Sequence, residues 1–319
     1  MKQLIVVFVL LVSFFSSVEN AEVNLSTIES KADLGQRLFF DPILSLDNSI
    51  SCASCHIPEF AFADTIAFSK GVGDSIGTRN TPSLMNLAYS VTFFYDGRSA
   101  TLEEQAKEPI KNPLEMHLDY EIAVERVQAD TNYQKLFSKI YQSAPDSANI
   151  LNSLAEFQKT LESNGSSPHD LWITDADPDA LTESQIRGRA LFIKDGMCFD
   201  CHFGPFFTGD EFRNVGLYNG KEFTDSGRFE ITKDSTDLGK FKTPGLRNVA
   251  LTAPYMHDGR FQTLEEVVEF YSDPYKFVRG PVNMDPLVVA PFHFTEQEKK
   301  DLVNFLHSLT DTAFDFEMQ

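Results

Sequence analysis

The chain has 319 residues and is strongly acidic, with 47 aspartates and glutamates against 27 lysines and arginines and a formal net charge of −20. This charge argues against binding to nucleic acid or to an anionic membrane surface, and it would attract a basic partner. The length suits two domains of about 150 residues each better than a single core.

The N-terminus has the layout of a secretory signal peptide at residues 1–21. Lys2 precedes an apolar run from Leu4 to Phe15, and small and polar residues follow up to Ala21. This run falls short of the ~20 apolar residues that a membrane-spanning helix requires, so a retained anchor is the weaker interpretation. The sequence therefore predicts export to the periplasm, without membrane insertion after cleavage.

All the cysteines of the chain belong to two copies of a Cys-x-x-Cys-His pattern, at residues 52–56 and 198–202. In this pattern two thiols attach covalently to a haem and the adjoining histidine binds its iron. The sequence therefore predicts two covalently bound haem c groups. The predicted haem-binding residues are Cys52, Cys55, His56, Cys198, Cys201 and His202.

Two other chemistries use paired cysteines. A structural zinc site would have to draw both distant pairs together, and it needs no histidine directly after each pair. A thioredoxin-like redox pair would be a single copy in a βαβ setting, and no such pattern is visible. Haem attachment explains both copies, and it leaves no thiol for a disulfide.

The chain also contains an internal duplication. Residues 80–104 align without a gap on residues 242–266, with twelve identical positions. Each half therefore reads as a cytochrome c-like domain, one at residues 22–165 and one at residues 180–319. A segment rich in turn-forming and acidic residues, at 166–179, is the predicted linker.

The predicted secondary structure consists of helices joined by long irregular loops. Residues 182–185 and 295–298 both match the capping box that opens a helix. The expected fold is mainly α, with two cytochrome c-like domains that each surround one covalently bound haem. The last helix should bury one apolar face, formed by Leu302, Phe305, Leu306 and Leu309.

The two halves differ where the second axial ligand of the iron would come from. Continuing the alignment past the repeat places Pro109 opposite Tyr271. A proline cannot bind iron and a phenol can, so the alignment predicts an open first haem and a closed second haem. Met256 is the rival ligand, but it lies opposite Phe94, a packing position, and Tyr271 is favoured.

These motifs resemble those of the bacterial di-haem cytochrome c peroxidases, and within them the MauG-like branch. The resemblance implies an enzyme that reduces hydrogen peroxide at the N-terminal haem. It also implies that a small cytochrome c or cupredoxin delivers electrons to the C-terminal haem; a homodimer is kept as an option. The resemblance covers the mature chain and rests on both haem motifs, residues 79–82, 95–98, 105–115 and 251–255, and Tyr271.

The same resemblance places Gln105 and Glu115 in the peroxide pocket. Cleavage of a peroxide needs a group that takes a proton from one oxygen and gives it to the other, and a carboxylate can do both. Glu115 is the candidate for this role, and Gln105 would orient peroxide by hydrogen bonding. Without the family pattern, Glu115 would be one acid among 47.

Comparison with the family refines three further expectations. Family members that require reductive activation carry a histidine in the loop after the first haem motif, and this chain has none between Ile57 and Glu115. The first haem is therefore expected to be open as isolated. Tyr95 stands where the family usually has a tryptophan between the haems, and it could relay electrons. Asn80, with the carbonyls of Thr252 and Pro254, is implied as a calcium site.

Two alternative functions remain open at this point. One is a MauG-like, peroxide-driven oxidation of a protein or small molecule, although the only tryptophan, Trp172, lies in the linker region. The other is a non-catalytic di-haem electron carrier in which both irons have six ligands. Gln105, Pro109 and Glu115 count against a mere carrier.

Overall fold

The structure, a computed structural model, describes residues 25–312. This part of the chain is mainly helical, as expected, and none of its helices is long and apolar enough to cross a membrane. The signal peptide predicted at residues 1–21 lies outside the described residues.

The α-helices are α1 Lys31–Phe40, α2 Leu102–Lys111, α3 Tyr120–Ala129, α4 Thr131–Tyr141, α5 Ser147–Lys159, α6 Pro168–Ile173, α7 Glu183–Ile193, α8 Phe229–Thr232, α9 Leu264–Ser272, α10 Pro286–Val289 and α11 Glu296–His307. Two short strands, β1 Phe212–Arg213 and β2 Phe241–Lys242, pair antiparallel with Phe212 opposite Lys242.

Each half is built around one pair of crossed helices, α1 with α5 and α7 with α11. At each crossing, a glycine of one helix meets the backbone of the other. An ideal Cβ atom on Gly35 would lie 1.9 Å from the carbonyl oxygen of Ser153, and one on Gly188 would lie 1.9 Å from that of Asp301. Any side chain would force these helices apart, so the two glycines set the same close crossing in both halves.

The two predicted capping boxes are confirmed. Helix α7 follows Thr182, whose hydroxyl accepts a hydrogen bond from the backbone of Gln185 while the Gln185 side chain accepts one from the Thr182 backbone. Thr295 and Glu298 make the same reciprocal pair at the start of α11. The apolar face predicted for α11 is buried at Leu302, Phe305 and Leu306, whereas Leu309 is buried but lies in the turn after the helix ends at His307.

The two cores contain matching clusters of three phenylalanine rings. The distance between ring centroids is 5.1 Å for Phe39 and Phe157 in the first half, and 5.2 Å for Phe192 and Phe305 in the second. Edge-on contacts complete each cluster. The clusters are Phe39, Phe62 and Phe157 in the first half, and Phe192, Phe207 and Phe305 in the second. The duplication read from the sequence therefore extends to the packing.

Polar contacts join the two halves. Arg79 donates two hydrogen bonds, of 2.7 and 2.8 Å, to the carboxylate of Asp225, and a third of 2.6 Å to Asp96. The backbone N–H of Lys242 donates to the carbonyl of Tyr95 at 2.7 Å, and its ammonium group donates to the carbonyl of Thr92. Residues on both sides of the duplication thus share one hydrogen-bonded interface.

The segment predicted as a linker, residues 166–179, contains α6 and packs on the C-terminal half. The backbone N–H of His169 donates to the carbonyl of Ser308 at 3.0 Å. Arg247 donates hydrogen bonds of 2.5 and 2.7 Å to the two carboxylate oxygens of Asp170. This segment is therefore fixed to the C-terminal half along α6, while the domain boundary itself stays a prediction.

Candidate functional site

A cavity of about 1030 Å³ lies where the two halves meet. Its walls include Cys52, Cys55 and His56 of the first haem motif, together with Tyr255 and Met256 of the second half. A haem attached at the first motif needs both thiols and the imidazole to open onto one space. The cavity meets that requirement.

The two Cys-x-x-Cys-His motifs share one backbone geometry. A 3₁₀ turn spans Cys52–Ser54 in the first and Cys198–Asp200 in the second. In both motifs the backbone N–H of the histidine donates to the carbonyl of the first cysteine at 2.9 Å. The turn therefore holds each histidine beside its two cysteines, and all four cysteines are free of disulfides.

Both motif histidines are oriented by backbone carbonyls. His56 Nδ1 lies 2.9 Å from the carbonyl oxygen of Phe62, and His202 Nδ1 lies 3.0 Å from that of Phe207 and 3.1 Å from that of Pro244. Because a carbonyl only accepts hydrogen bonds, Nδ1 must carry the proton, which leaves the Nε2 lone pair for a metal. Burial lowers the pKa of both imidazoles and favours this neutral form. These residues fit a haem iron at each motif.

The residues predicted for the peroxide pocket come together on the cavity wall. Gln105, Pro109 and Glu115 all line the cavity. Gln105 and Pro109 lie four residues apart in α2, and so on one face of that helix. Glu115 follows soon after the helix ends at Lys111.

The carboxyl of Glu115 is partly buried and hydrogen-bonded. The side-chain amide of Asn112 donates to its Oε1 atom at 2.6 Å. Burial raises the pKa of Glu115, while the hydrogen bond from Asn112 and the charge of Arg98 act in the opposite direction without cancelling the rise. A carboxyl with a raised pKa exchanges its proton closer to neutral pH, as general acid–base catalysis requires.

The loop at residues 71–77 holds the backbone of Glu115 from the other side. The N–H of Val72 donates to the carbonyl of Glu115 at 2.9 Å. An ideal Cβ atom on Gly71 would lie 2.2 Å from the carbonyl oxygen of Leu114 and 2.6 Å from that of Glu115. Only glycine permits this approach, so Gly71 positions the segment that carries the carboxyl.

The two candidate ligands for the second iron are neighbours. Tyr271 and Met256 pack against the same hydrophobic cluster. The pKa of the Tyr271 phenol is raised by burial and then by the thiols of Cys201 and Cys198, which places its hydroxyl near the second motif. Met256 lines the cavity between the halves and has the same left-handed backbone as Phe94, with φ angles of 72° and 66°. The duplication thus pairs Met256 with a packing position.

Tyr95 lines the cavity at the junction of the two halves. Burial and the charge of Asp258 raise the pKa of its phenol, and Arg79 acts in the opposite direction. Its carbonyl is tied to the backbone of Lys242. Tyr95 therefore occupies a place between the two halves that suits a relay.

The three residues implied as a calcium site, Asn80, Thr252 and Pro254, also line this cavity. The amide nitrogen of Asn80 donates to the carbonyls of Ile66 and Ala67, at 3.2 and 3.3 Å. The amide oxygen of Asn80 is therefore the atom left for a cation. Residues 25–312 contain no cluster of three or more histidine, cysteine or acidic side chains that could hold a metal, so such a site would depend on neutral oxygens.

Sequence reasoning missed Asn112, which hydrogen-bonds the candidate acid–base residue. Its position three residues before Glu115, just past the end of α2, was the available signal. The sequence offered Arg98 as a partner for a haem propionate or a nearby acid, and its guanidinium donates to Asp96 and lies 3.4 Å from the ring centroid of Phe94. It contributes positive charge beside Glu115.

The chain is similar to known proteins over most of its length. A model of the di-haem cytochrome c peroxidase family matches residues 29–177. The methylamine utilization protein MauG of Methylorubrum extorquens is 37% identical over 92% of this chain and 81% of its own length. The cytochrome c551 peroxidase of Nitrosomonas europaea is 35% identical over 90% of this chain and 82% of its own. The crystal structure of a MauG-like protein associated with microbial copper homeostasis superposes with a TM-score of 0.82 at 33% identity, covering 89% of this chain and 90% of that one.

Proposed function

The chain belongs to the di-haem cytochrome c peroxidase family, and from this premise we propose that it is a periplasmic enzyme that reduces hydrogen peroxide to water. The membership confirms the resemblance read from the sequence, and it makes the chain an oxidoreductase. The family implies haem cofactors. We assign them as two covalently bound haem c groups, attached at Cys52 and Cys55 and at Cys198 and Cys201.

The observation that carries the proposal is the difference between Pro109 and Tyr271. These residues occupy equivalent places in the two halves, and only the tyrosine can bind iron. The first haem, on His56, would therefore keep an open position facing the cavity, and the second, on His202, would be closed by Tyr271. One open and one closed iron suit a reaction centre and an electron store.

When bound, the first haem supplies the electrons that reduce peroxide. The chain supplies the proton transfer, because cleavage of the oxygen–oxygen bond moves a proton from one peroxide oxygen to the other. Glu115 Oε2 is free to make this transfer, since Oε1 is held by Asn112. The Gln105 amide, on the same wall, would orient peroxide without changing its own charge.

Electrons would enter at the C-terminal haem and pass to the N-terminal haem. Tyr95 lies between the halves and is the proposed relay, with Asp258 and Arg79 as the charges that act on its phenol. The donor would be a small cytochrome c or cupredoxin, drawn by the net charge of −20. A calcium ion on the oxygens of Asn80, Thr252 and Pro254 would join the two halves beside this relay.

A MauG-like activity, in which peroxide drives the oxidation of another molecule, is the second candidate. The observation in its favour is a tyrosine beside the second motif, because a phenolate stabilises higher oxidation states of iron. This chain has Tyr95 where the family usually has a tryptophan, and its one tryptophan is Trp172. This difference argues against the same substrate as MauG. Trp172 lies in α6, where Arg189 packs 5.3 Å from its ring centroid.

Turnover of hydrogen peroxide with a reduced small cytochrome c tests the proposal. We expect Glu115→Gln to lower the rate constant for reaction with peroxide by about 100-fold or more, as loss of an acid–base group does. His117→Asn is the control, because His117 is exposed close to Glu115 and asparagine tolerates its left-handed backbone, so the rate should stay unchanged. Absence of peroxide reduction in the wild type, or an unaffected Glu115→Gln enzyme, would overturn the proposal.

A further inference from the structure

The side chain of Asp64 is a buried carboxylate with only neutral partners. The residue is 6% exposed. Ser69 Oγ donates to its Oδ2 atom at 2.5 Å, and the N–H of Thr65 lies 2.6 Å from its Oδ1 atom. Because Ser69 uses its hydrogen on Asp64, Thr81, at 2.6 Å, must donate to Ser69. Within residues 25–312 no lysine or arginine forms an ion pair with Asp64, so its charge is uncompensated by a cation.

This carboxylate lies beside the first haem motif. A β-bridge pairs Ile57 with Ala63, so the residue after His56 is bound to the residue before Asp64. The carbonyl that orients His56 belongs to Phe62, two residues before Asp64. The charge of Asp64 acts on both the His56 imidazole and the Cys55 thiol. A haem held by these two residues would therefore lie within range of the carboxylate.

The second motif has no unpaired carboxylate at the equivalent place. Two of the carboxylates that act on Cys201, those of Glu211 and Asp285, form ion pairs with Arg213. Phe62 and Phe207 are equivalent, because the carbonyl of each accepts a hydrogen bond from its motif histidine. Counting two residues onward places Gly209 opposite Asp64. The influences on the pKa of His202 are burial and two backbone carbonyls, with no charged side chain among them. The duplication has thus kept the histidine geometry and changed the electrostatics.

We propose that Asp64 lowers the reduction potential of the first haem. A fixed negative charge stabilises the oxidised iron over the reduced iron, and burial strengthens the effect because water does not screen it. The inference deepens the proposed function and rests on it in one respect, the assignment of His56 as a haem ligand. It makes Asp64 an electrostatic tuning residue of the open haem alone.

Spectroelectrochemical titration of the holoprotein and of Asp64→Asn tests this inference. The asparagine keeps the size of the side chain and removes the charge. We expect the ratio of oxidised to reduced first haem, at a fixed applied potential, to fall about tenfold, which is ~59 mV for a one-electron couple. The ratio of oxidised to reduced second haem should stay at its wild-type value. Asp74→Asn is the matched control, because the side chain of Asp74 is 90% exposed and should not shift either haem.

Several outcomes separate charge from structure. A less than twofold change in Asp64→Asn, or an equal change at both haems, would overturn the inference. If Asp64→Asn fails to retain the first haem, Asp64→Glu and Asp64→Gln, which are alike in size and differ in charge, carry the comparison. EPR of the same samples tests the proposed function separately. If the reduction potential does not shift but EPR shows one high-spin iron, the inference about Asp64 is wrong and the proposed function is still supported.

Discussion

The side-chain amide of Asn112 donates a 2.6 Å hydrogen bond to Oε1 of Glu115. Because this bond stabilises the ionised carboxylate, it lowers the pKa of Glu115 against the rise that burial causes. A base is active when ionised, so the reaction with peroxide should be lost as pH falls through this pKa. We expect Asn112→Ala to raise the pKa and to move this acid limb to higher pH, in stopped-flow rates measured against pH.

Glu108→Gln provides the opposite change. Glu108 contributes negative charge that raises the pKa of Glu115, so its removal should move the acid limb to lower pH. Shifts in the same direction for both variants would exclude Glu115 as the group that controls the limb.

Replacement of the proposed second-haem ligand should change one iron only. In Tyr271→Phe the ring remains and the hydroxyl is lost, so the low-spin EPR signal of the second haem should give way to another spin state. Met256→Leu keeps the packing and should leave that signal in place. The reverse pattern would assign the ligand to Met256.

A methyl group at residue 71 should displace the acid–base segment. The Cβ atom of Gly71→Ala would come within 2.2 Å of the Leu114 carbonyl oxygen, so the backbone of residues 114–115 must move. We expect the rate constant with peroxide to fall by roughly 10- to 100-fold, because small misplacements of catalytic groups have effects of this size. Absorbance of bound haem, measured in parallel, should stay at the wild-type level.

Gly77→Ala is the control in the same loop. Its Cβ atom would meet its nearest neighbour, the carbonyl oxygen of Ser69, at 3.6 Å, which is an ordinary contact. Equal losses of rate in both variants would point to the loop as a whole instead of the contact with Leu114.

The ion pair between Arg79 and Asp225 should stabilise the folded protein. Burial alone would raise the pKa of Asp225, but the hydrogen bonds and charge of Arg79 outweigh it, so the pKa is lowered. We expect Asp225→Ala to reduce the free energy of unfolding by about 1–3 kcal/mol in urea titrations. A carboxyl with a lowered pKa stabilises above its unfolded pKa, and that contribution is lost as pH falls through the folded pKa.

The difference in free energy of unfolding between the wild type and Asp225→Ala should therefore become smaller in strongly acidic solution. Asp74→Asn is the comparison, because Asp74 and Lys70 form an exposed pair at 4.0 Å that contributes little, and asparagine tolerates the left-handed backbone of residue 74. An equal loss of unfolding free energy in Asp74→Asn would show that burial of the ion pair does not determine its contribution.

Much of the fold could be predicted because its determinants are local. Residues 182–185 and 295–298 fix two helix starts within one turn of chain, and the Cys-x-x-Cys-His spacing fixes a 3₁₀ turn. The duplication indicates that the two halves share one architecture, and Gly35 and Gly188 do occupy equivalent helix crossings.

The remaining features depend on contacts between distant segments. Arg79 meets Asp225 across 146 positions, and Gly71 packs on Leu114, so neither contact has a local pattern. From the sequence alone, Asp64 cannot be distinguished from an exposed aspartate in a loop. Its burial and its position beside His56 come only from the structure. Side-chain identity gives the chemistry of such residues, but only the tertiary arrangement gives their partners.

The central claim is that His56 holds an open iron and His202 a closed one. EPR spectroscopy of the ferric holoprotein, as isolated and after one equivalent of hydrogen peroxide, tests it most directly. We expect one high-spin and one low-spin signal, with the high-spin signal lost rapidly on addition of peroxide. Two low-spin signals that do not respond to peroxide would contradict the claim and leave a di-haem electron carrier.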